Sequence, residues 1–368
     1  MDAAPGKNEP IVKLLLDSKY AAPTGNLVHI AVLNGWKDIP KLVASSNASL
    51  LNWTDDTTGN TALHLTVEKE DPDMVEALLA VKADPNLETR RLDMDGLTPL
   101  LRACKMAFKG GHDTAKLVRG VLSKRGADID LNAKLPGSDG GRAKSSEEEK
   151  RSDEKAKDEL HEESDELHDE LLKLLLDFGA DPNLKDATGS TPLLLAAGAG
   201  HIKALGALLD HNADPNINDT GGSTALHRAA QSGCVACMNL LVKKGANMNA
   251  VKLDDDADRG SWGFTPPVLA IAHRQLSAVK ALLRLGADIG RAVHGAALCG
   301  GLDMSKTVHG KCPDPYIFDS GLGTPLCLAV TAETKDVASC LLENPKVATS
   351  IANPIGQTPL TIAVILGN

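Results

Sequence analysis

The chain has 368 residues, of which 42% are hydrophobic and only 2% aromatic, and its formal net charge is -10. Much of this charge lies between Asp139 and Glu170, where 14 Asp and Glu face 6 Lys and Arg. With no basic stripe and no run of about 20 apolar residues, the sequence argues against binding to nucleic acid and against a membrane span. Seven scattered cysteines and the lack of an apolar signal core predict a reducing compartment, the cytoplasm or the nucleus.

Residues 1–25 contain an amphipathic segment, Ile11 to Asp17, which predicts a helix that covers the first inner helix of a series of repeats. Each repeat opens with a Thr-Pro-Leu-His-like motif and closes near Gly-Ala-Asp. The two clearest copies start at Thr191 and Thr224, 33 residues apart. Further copies start near residues 26, 61, 98, 265, 324 and 358, and an aberrant copy starts near 171.

The motifs Thr191-Pro192-Leu193-Leu194 and Thr224-Ala225-Leu226-His227 resemble those of the ankyrin-repeat family, and the period agrees as well. The resemblance implies a single domain over residues 1–368. It implies an all-α solenoid of stacked helix-turn-helix repeats with β-hairpin loops, curved so that inner helices and hairpin tips line a concave face. No single repeat can bury its apolar face alone, so we expect stacking to form one continuous core.

The motif residues have mechanical roles. Thr can cap the inner helix, and Pro is tolerated in the first turn because that N–H would have no partner there. The resemblance implies that His29, His64 and His227 form hydrogen bonds across the junction between hairpin and helix. We therefore interpret these histidines, together with His201, as structural rather than catalytic.

The copy that starts at Thr98 is longer than the regular ones by seven residues, counted to the Asp of its Gly-Ala-Asp at Asp128. Seven residues are about two helical turns. We therefore predict one additional turn in each of its two helices. A long loop around Gly110-Gly111 is the alternative.

Residues 133–165 form an acidic insertion, which we expect to be partly disordered. After it, Leu160, Leu167, Leu171 and Leu174 share one helical stripe, which predicts the outer helix of the aberrant repeat near 171. The insertion is either a solvated spacer or an acidic element that recruits a basic partner or shields the concave surface. The first reading is favoured, because charge runs are usually solvating.

The hairpin before Thr265 is extended and carries an Asp cluster together with Trp262 and Phe264. The Asp cluster lacks the Gly and the bidentate Glu of a calcium loop. The two aromatic residues fall where hairpin tips meet a ligand. They either anchor a partner or fold back over the lengthened loop.

Residues 289–318 hold four candidate metal ligands, His294, Cys299, His309 and Cys312. Their spacing matches no zinc pattern. The stretch from Arg291 to Ala297 also aligns with the inner-helix motif. We therefore interpret this segment as an insertion or degenerate repeat, and we assign no metal and no other cofactor.

Cys234 and Cys237 have Cys-x-x-Cys spacing at the start of an outer helix, where a thiolate is stabilised. No strand-rich redox fold surrounds them, so we interpret both as ordinary helix residues. The sequence stops at Asn368, directly after an inner helix. From this we expect a native chain that continues with an outer helix and a polar cap.

The sequence contains no phosphate loop, nucleophile elbow or zinc-protease helix, so no catalytic residue is assigned. We predict a scaffold or adaptor that binds a protein or peptide on its concave face, with no assignment of oligomeric state. Positions carried over from the family as partner-binding are Glu68, Lys69, Lys105, Met106, Thr220, Ser223, Gln231, Ser232, Ser261, Trp262, Phe264, His273 and Arg274. The alternative is an enzyme with a pocket in the concave groove near the 251–318 insertions, flanked by His273, Arg274 and His294.

Overall fold

The computed structural model describes residues 9–17, 25–89, 96–108, 167–252, 263–290, 292–299, 301–310, 323–344 and 347–367. The chain divides into two compact units, Met1–Arg91 with Thr98–Ala180 and Leu92–Leu97 with Asp181–Asn368. Within the described ranges both units consist of short helices, and strand pairing is confined to isolated bridges. No helix in these ranges is long and apolar enough to cross a membrane.

The first unit is a stack of helices in which each repeat supplies an inner and then an outer helix. Its helices are α1 (Glu9–Asp17), α2 (Leu27–Asn34), α3 (Ile39–Asn47), α4 (Ala62–Glu68), α5 (Pro72–Ala80), α6 (Pro99–Phe108) and α7 (167–177). Inner helices α2, α4 and α6 contact one another in that order, and outer helix α3 contacts α5. The terminal helix α1 contacts α3. It therefore packs on the first outer helix, whereas the sequence predicted that it covers the first inner helix.

The second unit has the same internal arrangement, with more repeats. Its helices are α8 (Pro192–Ala199), α9 (Ile202–Asp210), α10 (Ala225–Ser232), α11 (Val235–Lys243), α12 (Pro266–Ala272), α13 (Leu276–Leu285), α14 (Ala292–Cys299), α15 (Gly301–His309), α16 (Pro325–Thr331), α17 (Lys335–Leu342) and α18 (Pro359–Leu366). The even-numbered helices contact one another in chain order, as do the odd-numbered ones. Two parallel rows of helices thus form the unit, with the apolar core between them.

Local sequence signals determine where each helix begins and ends. The hydroxyl of Thr191 accepts the Leu194 N–H at the start of α8, and Pro192 occupies the first turn. Gly200 ends α8 with φ +74°, a left-handed conformation that glycine adopts without steric cost. Ala196 and Ala197 are fully buried. Their small side chains let adjacent inner helices approach closely.

The segment over 289–318, predicted to be an insertion or degenerate repeat, contains a complete helix pair. Helix α14 contacts α12 and α16, and helix α15 contacts α13 and α17. Ala296 and Ala297 are fully buried in α14, as are the equivalent alanines of α8. The segment lacks the opening Thr-Pro, yet its small residues and apolar pattern are sufficient for it to stack as a repeat.

A spine of asparagine side chains joins successive hairpins. Within the second unit each spine Asn accepts the backbone N–H of the Asp or Asn in the next repeat at 2.8–2.9 Å. The side-chain amides of two of these residues also donate to a main-chain carbonyl beyond, at 3.1–3.2 Å. The spine residues are Asn183, Asn216 and Asn249. These bonds pair backbone groups of consecutive hairpins and fix the register between repeats.

The same spine places α7 within the first unit. The Asn86 amide donates to the Gly179 carbonyl at 3.2 Å, just as the Asn216 amide donates to Gly245 in the second unit. Helix α7 therefore follows directly after the repeat of α4 and α5, which is also the repeat that α6 contacts. We infer that α6 and α7 are the two helices of one repeat, and that the copy near 171 is not an additional one.

Two further predictions about this region meet the structure only in part. Helix α6 has ten residues against eight in α8, so the inner helix of the copy at Thr98 is longer by two residues, where a whole additional turn was predicted. The outer helix expected before Asp128 and the acidic insertion over 133–165 lie outside the described residues. Helix α7 is described from residue 167; of its predicted stripe, Leu171 is almost fully buried, whereas Leu167 and Leu174 are half-buried.

Candidate partner-binding surface

The motif histidines are bonded into the fold, as predicted. His29, His227 and His294 each bond through Nε2 to the carbonyl that precedes the next repeat, at 2.8–3.1 Å. His64 is fully buried, and its ring completes the cap of α4 with Thr61. Burial lowers the pKa of His227, because the charged imidazolium would lose its hydration.

In the first unit, the predicted partner-binding residues Glu68 and Lys69 make contacts within the chain. The Glu68 carboxylate lies 2.8 Å from the Arg102 guanidinium, and Lys69 Nζ donates to the Leu33 carbonyl at 2.9 Å, at the end of α2. Lys105 lies half-buried on α6. The first two side chains therefore contribute to the packing of neighbouring inner helices, whether or not a partner is present.

Several predicted residues of the second unit are likewise engaged within the chain. Ser223 is buried, and its N–H donates to the Asp219 carboxylate at 2.8 Å. The Thr220 hydroxyl donates to the Thr188 carbonyl at 2.9 Å in the neighbouring hairpin. The Ser232 hydroxyl donates to main-chain carbonyls of α8 and α10. These three residues hold hairpins and helix ends in place, although Thr220 and Ser232 remain exposed.

Three predicted residues in the second unit have side chains with no bond to the described part of the chain. Gln231 is half-buried near the end of α10, and His273 and Arg274 are exposed directly after α12. Arg274 adopts a positive φ of 57°. Because α10 and α12 are adjacent inner helices, these side chains form one polar surface at the ends of two neighbouring repeats.

The structure places Phe264 on the hairpin that precedes α12, at the other end of that helix from His273 and Arg274. Its main chain pairs with Lys252 through two hydrogen bonds of 2.9 Å, and its side chain is half-buried. Trp262 and Ser261 lie outside the described residues. Of the two aromatic candidates, Phe264 is thus the one whose position on an ordered hairpin is established.

Arg228 was not among the residues predicted from sequence. Its guanidinium lies 2.6 Å from the Asp219 carboxylate, and its side chain is 41% exposed while that of Asp219 is 5% exposed. Asp219 therefore holds a partly exposed cation in a fixed orientation on α10. The position after His in the Thr-Ala-Leu-His-Arg motif was the available signal, since it faces the same side as Gln231, three residues later.

The four candidate metal ligands do not form a described site. His294 is fully buried and its Nε2 bonds to Gly323, while His309 Nδ1 bonds to the Ser305 carbonyl at 2.7 Å. Cys312 and the side chain of Cys299 lie outside the described residues. No group of three or more His, Cys, Asp or Glu that could hold a metal occurs in the described part of the chain.

Cys234 and Cys237 differ from their interpretation as ordinary helix residues. The structure joins their sulfur atoms in a disulfide, with Cα atoms 5.3 Å apart. Cys234 is the N-cap of α11, and Cys237 lies three residues later, fully buried. The sequence spacing gave the signal, but the absence of a redox fold led to the opposite interpretation.

Comparison with known proteins gives a consistent result. A profile described as ankyrin repeats (3 copies) matches residues 1–89, 52–133 and 160–252, which together are more than half of the chain. The BTB/POZ domain and ankyrin repeat-containing protein NH5.2 of Oryza sativa subsp. japonica is 44% identical over 87 residues, 23% of this chain and 17% of that protein. The regulatory protein NPR6 of Arabidopsis thaliana is 41% identical over 70 residues, 19% of this chain and 14% of that protein. This chain thus matches only a small part of either relative.

Among solved structures, the human ASB11 ankyrin repeat domain superimposes with a TM-score of 0.50 at 18% sequence identity. The match covers 77% of this chain and 97% of that domain, and it concerns the fold alone. The two rows of helices, the capping threonines and the sequence profile agree with one another. On this evidence, the chain belongs to the ankyrin-repeat family.

Proposed function

We propose that this chain is a protein-binding scaffold or adaptor, and that its partner contacts the surface made by the ends of α10 and α12 and the Lys252–Phe264 hairpin. Ankyrin repeats are generally protein interaction modules, and membership of that family is the first support. By analogy with the family, this surface belongs to a concave face.

The proposal rests on a difference between two groups of polar side chains, of which one forms hydrogen bonds within the chain and the other does not. Ser223, Thr220 and Ser232 make hydrogen bonds that hold the fold together. Gln231, His273 and Arg274, which are their neighbours, make none within the described part of the chain. Within the described ranges repeat stacking does not use these side chains, which leaves them available for a partner.

The chemistry of this surface also suits a protein ligand. Arginine and aromatic residues are over-represented among the side chains that dominate binding energy at interfaces. Arg228, Arg274 and Phe264 supply both kinds within two adjacent repeats. Arg228 is held in advance by Asp219, so that its ordering on binding costs less conformational entropy.

The decisive experiment compares two variants of the full chain. His273→Ala with Arg274→Ala removes exposed side chains from the proposed surface, while Arg284→Ala removes an exposed cation from outer helix α13 of the same repeat. Each is used as bait in quantitative affinity capture, and the Kd of each captured protein is then measured. We expect the double variant to weaken binding by about tenfold or more, and Arg284→Ala to leave it unchanged.

A partner retained by the double variant with unchanged affinity contradicts the placement of this surface. Loss of the partner with both variants alike also contradicts it, because a general charge effect then explains binding. Phe264→Ala provides an independent arm. An anchoring ring gives weakened binding with nearly unchanged thermal stability, whereas a large loss of stability assigns Phe264 to the core.

The relatives support a regulatory role for such a scaffold. Their descriptions are of BTB/POZ and ankyrin repeat-containing proteins and of a regulatory protein. A regulatory scaffold in the cytoplasm or nucleus is our proposal for this chain. Microscopy of a fluorescent fusion to the full chain tests it, and accumulation outside both compartments contradicts it.

A further inference from the structure

Cys234 and Cys237 form a pair of thiols that the fold places in bonding contact. Cys234 caps α11 and its sulfur accepts the Cys237 N–H at 3.3 Å. The Cα atoms are 5.3 Å apart, within the range that a disulfide spans without movement of the backbone. One turn of helix determines this distance, so the contact does not depend on any other element of the fold.

The two cysteines differ in access to solvent. Cys234 is half-buried at the start of its helix, whereas Cys237 is fully buried beside Met238. A thiolate at a helix N-terminus is stabilised by the unpaired N–H groups and the helix dipole. Cys104 provides the contrast, because it is fully buried in α6 and burial raises the pKa of its thiol strongly.

We propose that Cys234 and Cys237 are a reversible dithiol–disulfide pair that responds to low-molecular-weight disulfides of the glutathione type. The Cys234 thiolate attacks one sulfur of the oxidant, and the first glutathione leaves as a thiolate that takes up a proton. Cys237 then loses its proton to solvent and attacks the Cys234 sulfur, releasing the second glutathione. In sum, two protein thiols are oxidised to one disulfide, and one glutathione disulfide is reduced to two thiols.

Oxidation changes a contact between consecutive repeats. In the disulfide form the Cys234 sulfur lies 3.7 Å from the Gly200 carbonyl at the end of α8, so after reduction its S–H is placed to donate to that carbonyl. The disulfide has no such hydrogen. Oxidation thus replaces a weak link between two repeats by a cross-link within one helical turn, and it does so three residues after Gln231 of the proposed partner surface.

The test equilibrates the full chain at a series of ratios of reduced to oxidised glutathione, followed by differential alkylation and peptide mapping. We expect a 234–237 disulfide to form as the oxidised fraction rises and to disappear when reduced glutathione is restored. Cys340, which is half-buried in α17, is the internal control and should stay a free thiol over the same range. Independent alkylation of Cys234 and Cys237 at every ratio overturns the proposal.

Single variants separate the two steps. Cys237→Ser should stop at a glutathione adduct on Cys234, and Cys234→Ser should form neither adduct nor disulfide at Cys237. A rapid adduct on Cys237 in the Cys234→Ser chain refutes the assigned order of attack. Because Cys237 is buried, its substitution can disturb folding, so circular dichroism first establishes whether each variant is folded. If a variant does not fold, the peptide mapping of the unsubstituted chain tests the proposal.

Discussion

Substitution of His227 by Ala tests whether the motif histidines hold adjacent repeats together. His227 is fully buried at the start of α10. Its Nδ1 accepts the Thr224 N–H at 3.1 Å, and its Nε2 donates to the Phe264 carbonyl of the next repeat at 2.8 Å. The first bond closes the helix cap, and the second ties α10 to the hairpin that precedes α12.

The expected cost follows from these two bonds. Each contributes about 1 kcal/mol net, and the Thr224 N–H left buried without a partner adds about 1 kcal/mol more. The Phe264 carbonyl is not left alone, because it also accepts the Lys252 N–H at 2.9 Å. We therefore expect His227→Ala to lower the free energy of unfolding by about 3 kcal/mol, to which the vacated ring volume adds a smaller amount.

Urea denaturation of the full chain, followed by circular dichroism, measures this loss. Hydrogen exchange resolved by peptide gives its location, which should be α10 and the Lys252–Phe264 hairpin. His273→Ala is the matched control, because His273 is exposed and should change stability by less than about 0.5 kcal/mol. Equal effects of the two substitutions refute the structural role assigned to His227.

Three further predictions concern pH, an ion pair and the turns. Burial lowers the pKa of His29, His227 and His309 in the folded chain. Below about pH 6.5 these histidines therefore bind protons in the unfolded chain before they do so in the folded chain. The contribution of these histidines to the free energy of unfolding should be complete above that pH. It should fall as the pH is lowered, by at most about 1.4 kcal/mol per pH unit for each proton bound. Urea titrations at a series of acidic pH values measure this fall. A double-mutant cycle of Arg102→Ala and Glu68→Ala should give a coupling of about 1 kcal/mol, and strictly additive losses contradict the pair. Gly189→Ala should lower the stability measured by thermal denaturation by about 3 kcal/mol, because φ at this position is +74° and an added Cβ would lie 2.7 Å from the Thr220 nitrogen. Gly245→Ala should lower it by only about 1 kcal/mol, because φ is +92° but the added Cβ would enter open space. A larger loss at Gly245 than at Gly189 contradicts this explanation.

The repeat architecture could be predicted from the sequence because its signals are local. A Thr before an apolar run caps a helix, and a Gly after it ends that helix, whatever the rest of the chain does. Thr191 and Gly200 act in this way at the two ends of α8. The predicted structural roles of His29, His64, His201 and His227 are confirmed for the same reason, since each histidine bonds to a motif neighbour or to the next hairpin.

The order of repeats in space could not be predicted where the chain is interrupted. Nothing near Leu171 indicates that its helix stands next to the repeat of α4 and α5. That placement depends on the bond between Asn86 and Gly179, which are 93 residues apart. Similarly, the repeat of α14 and α15 lacks the opening Thr-Pro, and the long-range bond from His294 to Gly323 is what marks it as a regular member of the stack.

The sequence predicted which positions belong to the candidate surface, but it did not predict which side chains there are used by the fold. Family resemblance indicates which positions face a ligand, but it does not reveal which side chains already have partners. Thr220 and Ser223 are used by the hairpins, whereas Arg274 is not. The orientation of the Arg228 side chain depends on its ion pair with Asp219, nine residues earlier, which no local pattern indicates.

The asparagine spine keeps consecutive repeats aligned even where the connection between them is longer. Asn183 bonds to Asp214 across 31 residues at 2.8 Å, and Asn249 bonds to Asp288 across 39 residues at 2.9 Å. A hairpin can thus grow by eight residues while its two ends meet the same neighbours. The main chains of Lys252 and Phe264 pair through two hydrogen bonds of 2.9 Å, so the longer connection still leaves the two ends of this hairpin joined.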